Sequence, residues 1–189
     1  MKRSSSLFAV IALLIGGAAQ SQENISAARG AIRPFVGANI PTGDQRDFLK
    51  DAVLVGAQAS WIATPNVSLT GSFSWAPSKD RISAGDQTLD IYQYDLGIEG
   101  RSAATRLGLL NPFIGAGVGG RTYNYRDLDV ESKTNFAGYG ALGVDVPVGG
   151  VSLRVEGRDY ISRFEPLNGS GETKTRNDVA LFAALGVSF

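Results

Sequence analysis

The chain has 189 residues, room for one domain, and its 43% hydrophobic and 19% charged side chains are ordinary for a folded protein. Basic and acidic residues balance at 18 each, so no overall field draws the chain to nucleic acid. Cysteine and histidine are both absent, which excludes disulfides, thiolate zinc sites, thiol nucleophiles and the commonest general base.

The amino terminus has the pattern of a secretory signal peptide. Lys2 and Arg3 precede an apolar run from Leu7 to Ile15, and Gly17-Ala18-Ala19 permits cleavage after Ala19. That run is too short for a membrane-spanning helix, which needs about 20 apolar residues. No cysteine follows to carry a lipid. Residues 1–19 are therefore expected to be the export signal. Cleavage leaves 16 basic and 18 acidic side chains. Residues 20–31 are polar and patternless, expected as a short periplasmic leader before a domain spanning 32–189.

From there the chain reads as strands and turns. Apolar and small or polar residues alternate with a period of two. The expected strands are Arg33–Ile40, Val53–Ile62, Val67–Trp75, Thr88–Arg101, Pro112–Tyr123, Asn135–Pro147, Val151–Ser162 and Val179–Phe189. Most are long enough for the roughly 9–11 residues with which a tilted strand crosses a bilayer. The 24 glycines fit a curved, closed sheet better than helices.

The connections alternate in length. Residues 63–66 and 148–150 are tight turns, and 102–111 is longer. Residues 41–52, 76–87, 124–134 and 163–178 are long, polar and rich in charge. Short periplasmic turns and longer outer loops characterise an up-and-down outer-membrane barrel. The expected fold class is all-β: an eight-stranded antiparallel up-and-down transmembrane β-barrel.

The faces support this. Val151, Leu153, Val155 and Gly157 oppose Ser152, Arg154, Glu156 and Arg158; Tyr92, Tyr94, Leu96 and Ile98 oppose Gln93, Asp95, Gly97 and Glu99. In the last strand the small face carries one large residue, Phe182. The polar faces are crowded with Gly, Ala and Ser, which suits the lumen of a small barrel. Aromatic residues cluster at strand ends: Phe35, Trp61, Phe113 and Phe189 at the turn end, and Trp75, Tyr92, Tyr123, Phe136 and Tyr160 at the loop end. Two such belts mark the two interfaces of a bilayer. Asp159 falls on the lipid face near the outer rim, where a charge costs roughly 0–1 kcal/mol.

On these residues the region from about Ile32 to Phe189 resembles the eight-stranded outer-membrane barrels of the OmpA/OmpX-like superfamily. The resemblance rests on the terminal Phe189, the alternating strand Val151–Tyr160 and the glycine-rich strand around Phe113–Gly120. It implies residence in the outer membrane of a Gram-negative envelope, in contact with lipid and lipopolysaccharide. It also implies handling by the barrel-assembly machinery through the last strand, with Phe189 as the signal. The barrel is expected to stand without a peptidoglycan-binding domain, so the resemblance does not imply cell-wall tethering.

Gln93, Asp95, Glu99, Arg121, Asp145, Arg154, Glu156 and Arg158 all fall on inward parities. Three arginines and four acids in one narrow space must pair, because an isolated buried charge costs several kcal/mol. The expectation is a salt-bridge network that plugs the barrel.

Other motifs weigh less. Gly115-Ala-Gly117-Val-Gly119-Gly120 matches the dinucleotide fingerprint, but Arg121–Tyr125 continues as a strand where that motif needs a helix. Asp127, Asp129 and Glu131 lack the central glycine of a calcium loop. Residues 168–171 with Lys174 and Arg176 read as a flexible basic loop that suits lipopolysaccharide phosphates or simple solvation. Enzymes on small barrels rely on histidine, absent here, so neither catalysis nor a cofactor or metal is expected. Three function classes remain: a structural or surface-interaction barrel displaying loops to an unidentified extracellular partner, a narrow porin-like channel for small solutes or lipophilic molecules, and a soluble lipocalin-like binder with the faces inverted. The first is preferred.

Overall fold

The computed structural model describes residues 29–43, 46, 49–79, 88–101, 107–126, 132–164 and 174–189. Eight strands follow one another: β1 (Gly30–Pro41), β2 (Ala52–Thr64), β3 (Val67–Lys79), β4 (Thr88–Arg101), β5 (Asn111–Tyr125), β6 (Lys133–Val148), β7 (Val151–Phe164) and β8 (Lys174–Ser188). Each pairs antiparallel with its chain neighbour, and β1 pairs with β8, so the sheet closes without an edge. The seam is tied at its base, where Gly30 and Phe189 exchange backbone hydrogen bonds of 2.9 and 3.0 Å.

The strand order and number match the sequence reading, but several ends differ. β1 starts at Gly30, inside the expected leader, because Gly30 and Ala31 pair with Trp61 and Ser60 of β2. β8 starts at Lys174, inside the expected fourth loop, since Asn177 and Asp178 pair with Ile161 and Tyr160 of β7. Polar residues can extend a strand beyond its apolar stretch when neighbouring backbone continues to offer hydrogen bonds. The export signal, and the acidic triplet Asp127, Asp129 and Glu131, lie outside the described residues.

The hairpin turns at one end are tight. Thr64 Oγ1 accepts from the Val67 amide at 3.1 Å across Pro65-Asn66. Gly149 adopts φ 62° between β6 and β7, a left-handed conformation that side chains rarely tolerate.

The pleat sends alternate side chains to opposite faces. Outward stand Val36, Leu69, Leu96, Ile114, Val118, Leu142, Val155 and Leu181, all exposed, with Leu96 and Leu142 each at 71%. Inward stand the strand serines, the buried alanines, glycines such as Gly37, Gly56, Gly97 and Gly117, and nearly all the buried charge. Phe182 points inward too and stacks on Phe35 at 4.4 Å between centroids. Gly37 and Gly56 make that possible, because a Cβ at either would overlap one of these side chains and a neighbouring carbonyl. Gly97 and Gly117 similarly open space for the Tyr139 ring, so the apparent nucleotide fingerprint is a lumenal groove for an aromatic side chain.

Candidate functional site

At the loop end Leu54, Leu89 and Ile91, inward on β2 and β4, pack in one buried cluster with Leu49 and Ala76. An ionic layer crosses the lumen alongside and below this cluster, and a cavity opens at the turn end.

The ionic layer is organised by three arginines from β5 and β7. Arg154 donates to Asp145 of β6 at 2.7 and 2.9 Å, to Glu99 of β4 at 2.7 and 3.0 Å, to Glu156 at 3.1 Å and to Gln58 of β2 at 2.8 Å. Arg158 donates to Glu156 at 2.6 Å, to Asp95 of β4 at 3.1 Å and to Ser72 of β3 at 2.8 Å. Arg121 pairs with Asp178 of β8 and donates to Asn39 of β1 at 3.0 Å. Gln93 donates to the same Asn39 oxygen at 3.3 Å. Every stave of the barrel thus contributes at least one group. Charge-assisted bonds of this kind are about twice as strong as neutral ones, and the two-pronged contacts of Arg154 fix the arginine's orientation as well.

All eight lumenal residues named from the sequence are buried and lie in this network. The same network holds Asn39, Gln58, Ser72, Arg101, Tyr160 and Asp178, none of which the sequence reading counted in the charge network, and Arg33 lies buried beside it. Arg101 bridges Glu99 at 3.0 Å and Asp145 at 2.9 Å from the turn side. Tyr160 donates to Asp95 at 2.7 Å. Among the described residues the lumen holds five arginines, at 33, 101, 121, 154 and 158, against five carboxylates, at 95, 99, 145, 156 and 178.

The aromatic belts need correction. Trp61 and Phe189 at the turn end, and Trp75, Tyr92 and Phe136 at the loop end, lie on the outer face. Phe73 and Tyr94 join the upper belt, Phe73 lying 6.4 Å from Tyr92. Phe35, Phe113, Tyr123 and Tyr160 do not belong to it: they point inward and are buried. Nearness to a strand end does not set the face, whereas parity does. Four inward rings cover guanidiniums: Phe113 lies 4.2 Å from Arg154, Tyr160 4.8 Å from Arg121, and Tyr139 4.7 Å and Phe182 5.2 Å from Arg158. A ring face attracts a desolvated cation by up to about 2 kcal/mol, so these aromatics serve the ionic layer.

On the outer face Asp159 is exposed, paired with Gly140 and Val179 near the loop end. At the same end the buried Asp90 accepts from Trp75 Nε1 at 2.9 Å and from Arg126 at 2.8 Å, anchoring one member of the upper belt.

Comparison with solved structures places the fold. Neisserial surface protein A superposes with a TM-score of 0.65 at 12% identity, over 85% of this chain and 97% of that one. The outer-membrane protein OprG from Pseudomonas aeruginosa gives 0.54 at 13% identity, over 86% and 96%. The amino-terminal β-barrel domain of OprF from the same organism gives 0.50 at 11% identity, over 84% and 98%. No protein-family profile and no curated protein sequence matches the chain. The chain therefore has the fold of eight-stranded transmembrane outer-membrane barrels.

Proposed function

We propose that the protein is an integral outer-membrane barrel that acts as a closed, rigid scaffold for surface interaction and conducts no solute. The observation that carries this reading is the ionic layer, whose bonds cross the lumen and engage all eight staves. Leu54, Leu89 and Ile91 are buried beside its loop-end groups, so a hydrated ion would have to displace apolar side chains as well as ion pairs. Eight strands leave an interior just wide enough for side chains to fill.

The outward apolar band and its belts suit lipid and, at the loop end, lipopolysaccharide. In this proposal the terminal strand with Phe189 is what the assembly machinery recognises, and the loop end meets an extracellular partner. Planar-bilayer recording of the purified protein tests the scaffold reading: the expected result is no unitary conductance. Steady ohmic conductance that rises in Arg154→Ala would establish the channel alternative instead.

A further inference from the structure

The turn-end mouth of the lumen holds a cavity of about 460 Å³. Its wall includes two arginines, Arg33 and Arg101, and a single carboxylate, Asp145. That carboxylate is already engaged, by Arg101 at 2.9 Å and Arg154 at 2.7 Å. Arg33 is left over although it is only 5% exposed. Its hydrogen bond runs from Nη1 to Ser60 Oγ at 2.5 Å, it forms no ion pair among the described residues, and its Nε has no partner. The imbalance is local: Arg154 draws three carboxylates to itself, so the equal totals in the lumen leave one cation unmatched.

A second observation falls at the same place. Ser152 Oγ, also on the cavity wall, is buried with no hydrogen-bond partner, and so is Arg101 Nε. Ser152 and Arg33 meet over Gly186: a Cβ there would overlap Ser152 Oγ and come within 3.2 Å of Arg33 Nε. The missing side chain lets Ser152 Oγ and the Arg33 stem close over the Gly186 backbone, so two unsatisfied polar groups sit side by side at the cavity wall. Buried groups of this kind ordinarily have partners, and a buried guanidinium without a counter-charge is costly.

We propose that this mouth is a binding site for a small free oxyanion, a phosphate or carboxylate, seated on the Nε edge of Arg33 with Ser152 Oγ donating to it. Arginine's fork matches the two oxygens of such anions, and a partly dehydrated pocket strengthens the pairing. Free solute is the source, since the site lies on the inward parity of β1 and β7, behind the wall that faces lipid. The ionic layer forms its floor, so ligand reaches it from the turn end. Because the floor is not the site, the inference stands or falls separately from the absence of conductance.

The test is thermal unfolding of the purified barrel in an uncharged maltoside detergent, which carries no phosphate of its own, titrated with inorganic phosphate against chloride at equal ionic strength and pH. Phosphate at about five times its Kd is expected to raise Tm by about 2–4 °C, saturably. Both Arg33→Gln and Gly186→Ala are expected to lose this rise; the second keeps every charge and only displaces Ser152 Oγ and Arg33 from each other. A folded Gly186→Ala barrel is recognised by its heat-modifiable gel mobility. Equal effects of phosphate and chloride, or an undiminished phosphate response in either variant, would overturn the proposal.

Discussion

Replacing Arg154 with alanine removes six hydrogen bonds, to Asp145, Glu99, Glu156 and Gln58. The side chain is fully buried, so no solvent exposure weakens these interactions in the native barrel. Leaving a buried charge without its partner costs about 3–5 kcal/mol. The geometry places this case toward the lower end: Glu99 and Asp145 keep Arg101, and Glu156 keeps Arg158. Loss of the Phe113 contact at 4.2 Å adds up to about 2 kcal/mol. The expected total is about 3–5 kcal/mol, read by denaturant unfolding in lipid vesicles with Trp61 and Trp75 as fluorescence reporters. A loss below about 1 kcal/mol would refute the view that the ionic layer is a mutually dependent unit. A sharper form combines Arg154→Met and Arg101→Met with Glu99→Gln and Asp145→Asn, so that both cations leave with the two carboxylates they share. Removing a buried charge together with its partners is often neutral, so much of the lost stability should return.

The wall yields three more predictions. Gly117→Ala should cost about 1–3 kcal/mol, because its Cβ would strike the Tyr139 ring and the Leu96 carbonyl, whereas Gly140→Ala, with nothing within 4 Å, should stay within about 0.5 kcal/mol; parallel denaturant titrations compare them. Phe182→Ala should destabilise by about 3–5 kcal/mol through loss of its stack on Phe35 and its contact with Arg158, measured the same way. Leu142→Arg, at 71% exposure on the outer face, should cost about 2–4 kcal/mol in vesicles if that position sits near the bilayer midplane, and a charge there without effect would argue against lipid.

The barrel was legible in the sequence because its two faces differ so sharply in β4, β7 and β8. A period of two with Leu153 and Val155 on one side and Arg154 and Glu156 on the other leaves little freedom in register. What escaped was mostly a consequence of reading belts by position along the strand. Tyr160 shares parity with Arg154, Glu156 and Arg158, and Phe113 with Arg121, so both rings were assignable to the lumen by the rule that placed the arginines there. Phe35 shares its parity with Arg33, which the sequence reading had not placed in the lumen. Asp178 was hidden differently, since the polar start of β8 looks like loop until its pairing with β7 is known. The unmatched state of Arg33 was not readable at all. It depends on which carboxylates Arg154 captures across the lumen, and no local pattern in β1 records that.

The account depends most directly on which face of the wall meets hydrocarbon. Nitroxide labels placed singly at Leu142 and Leu153 on the outer face, and at Ser152 in the turn-end mouth, can be compared in vesicles for collision with oxygen and with a water-soluble nickel complex. The account predicts that the Leu142 and Leu153 labels favour oxygen and that the Ser152 label favours nickel. Outer-face labels that collide freely with nickel would contradict it and would place the ionic face, not the apolar one, outside.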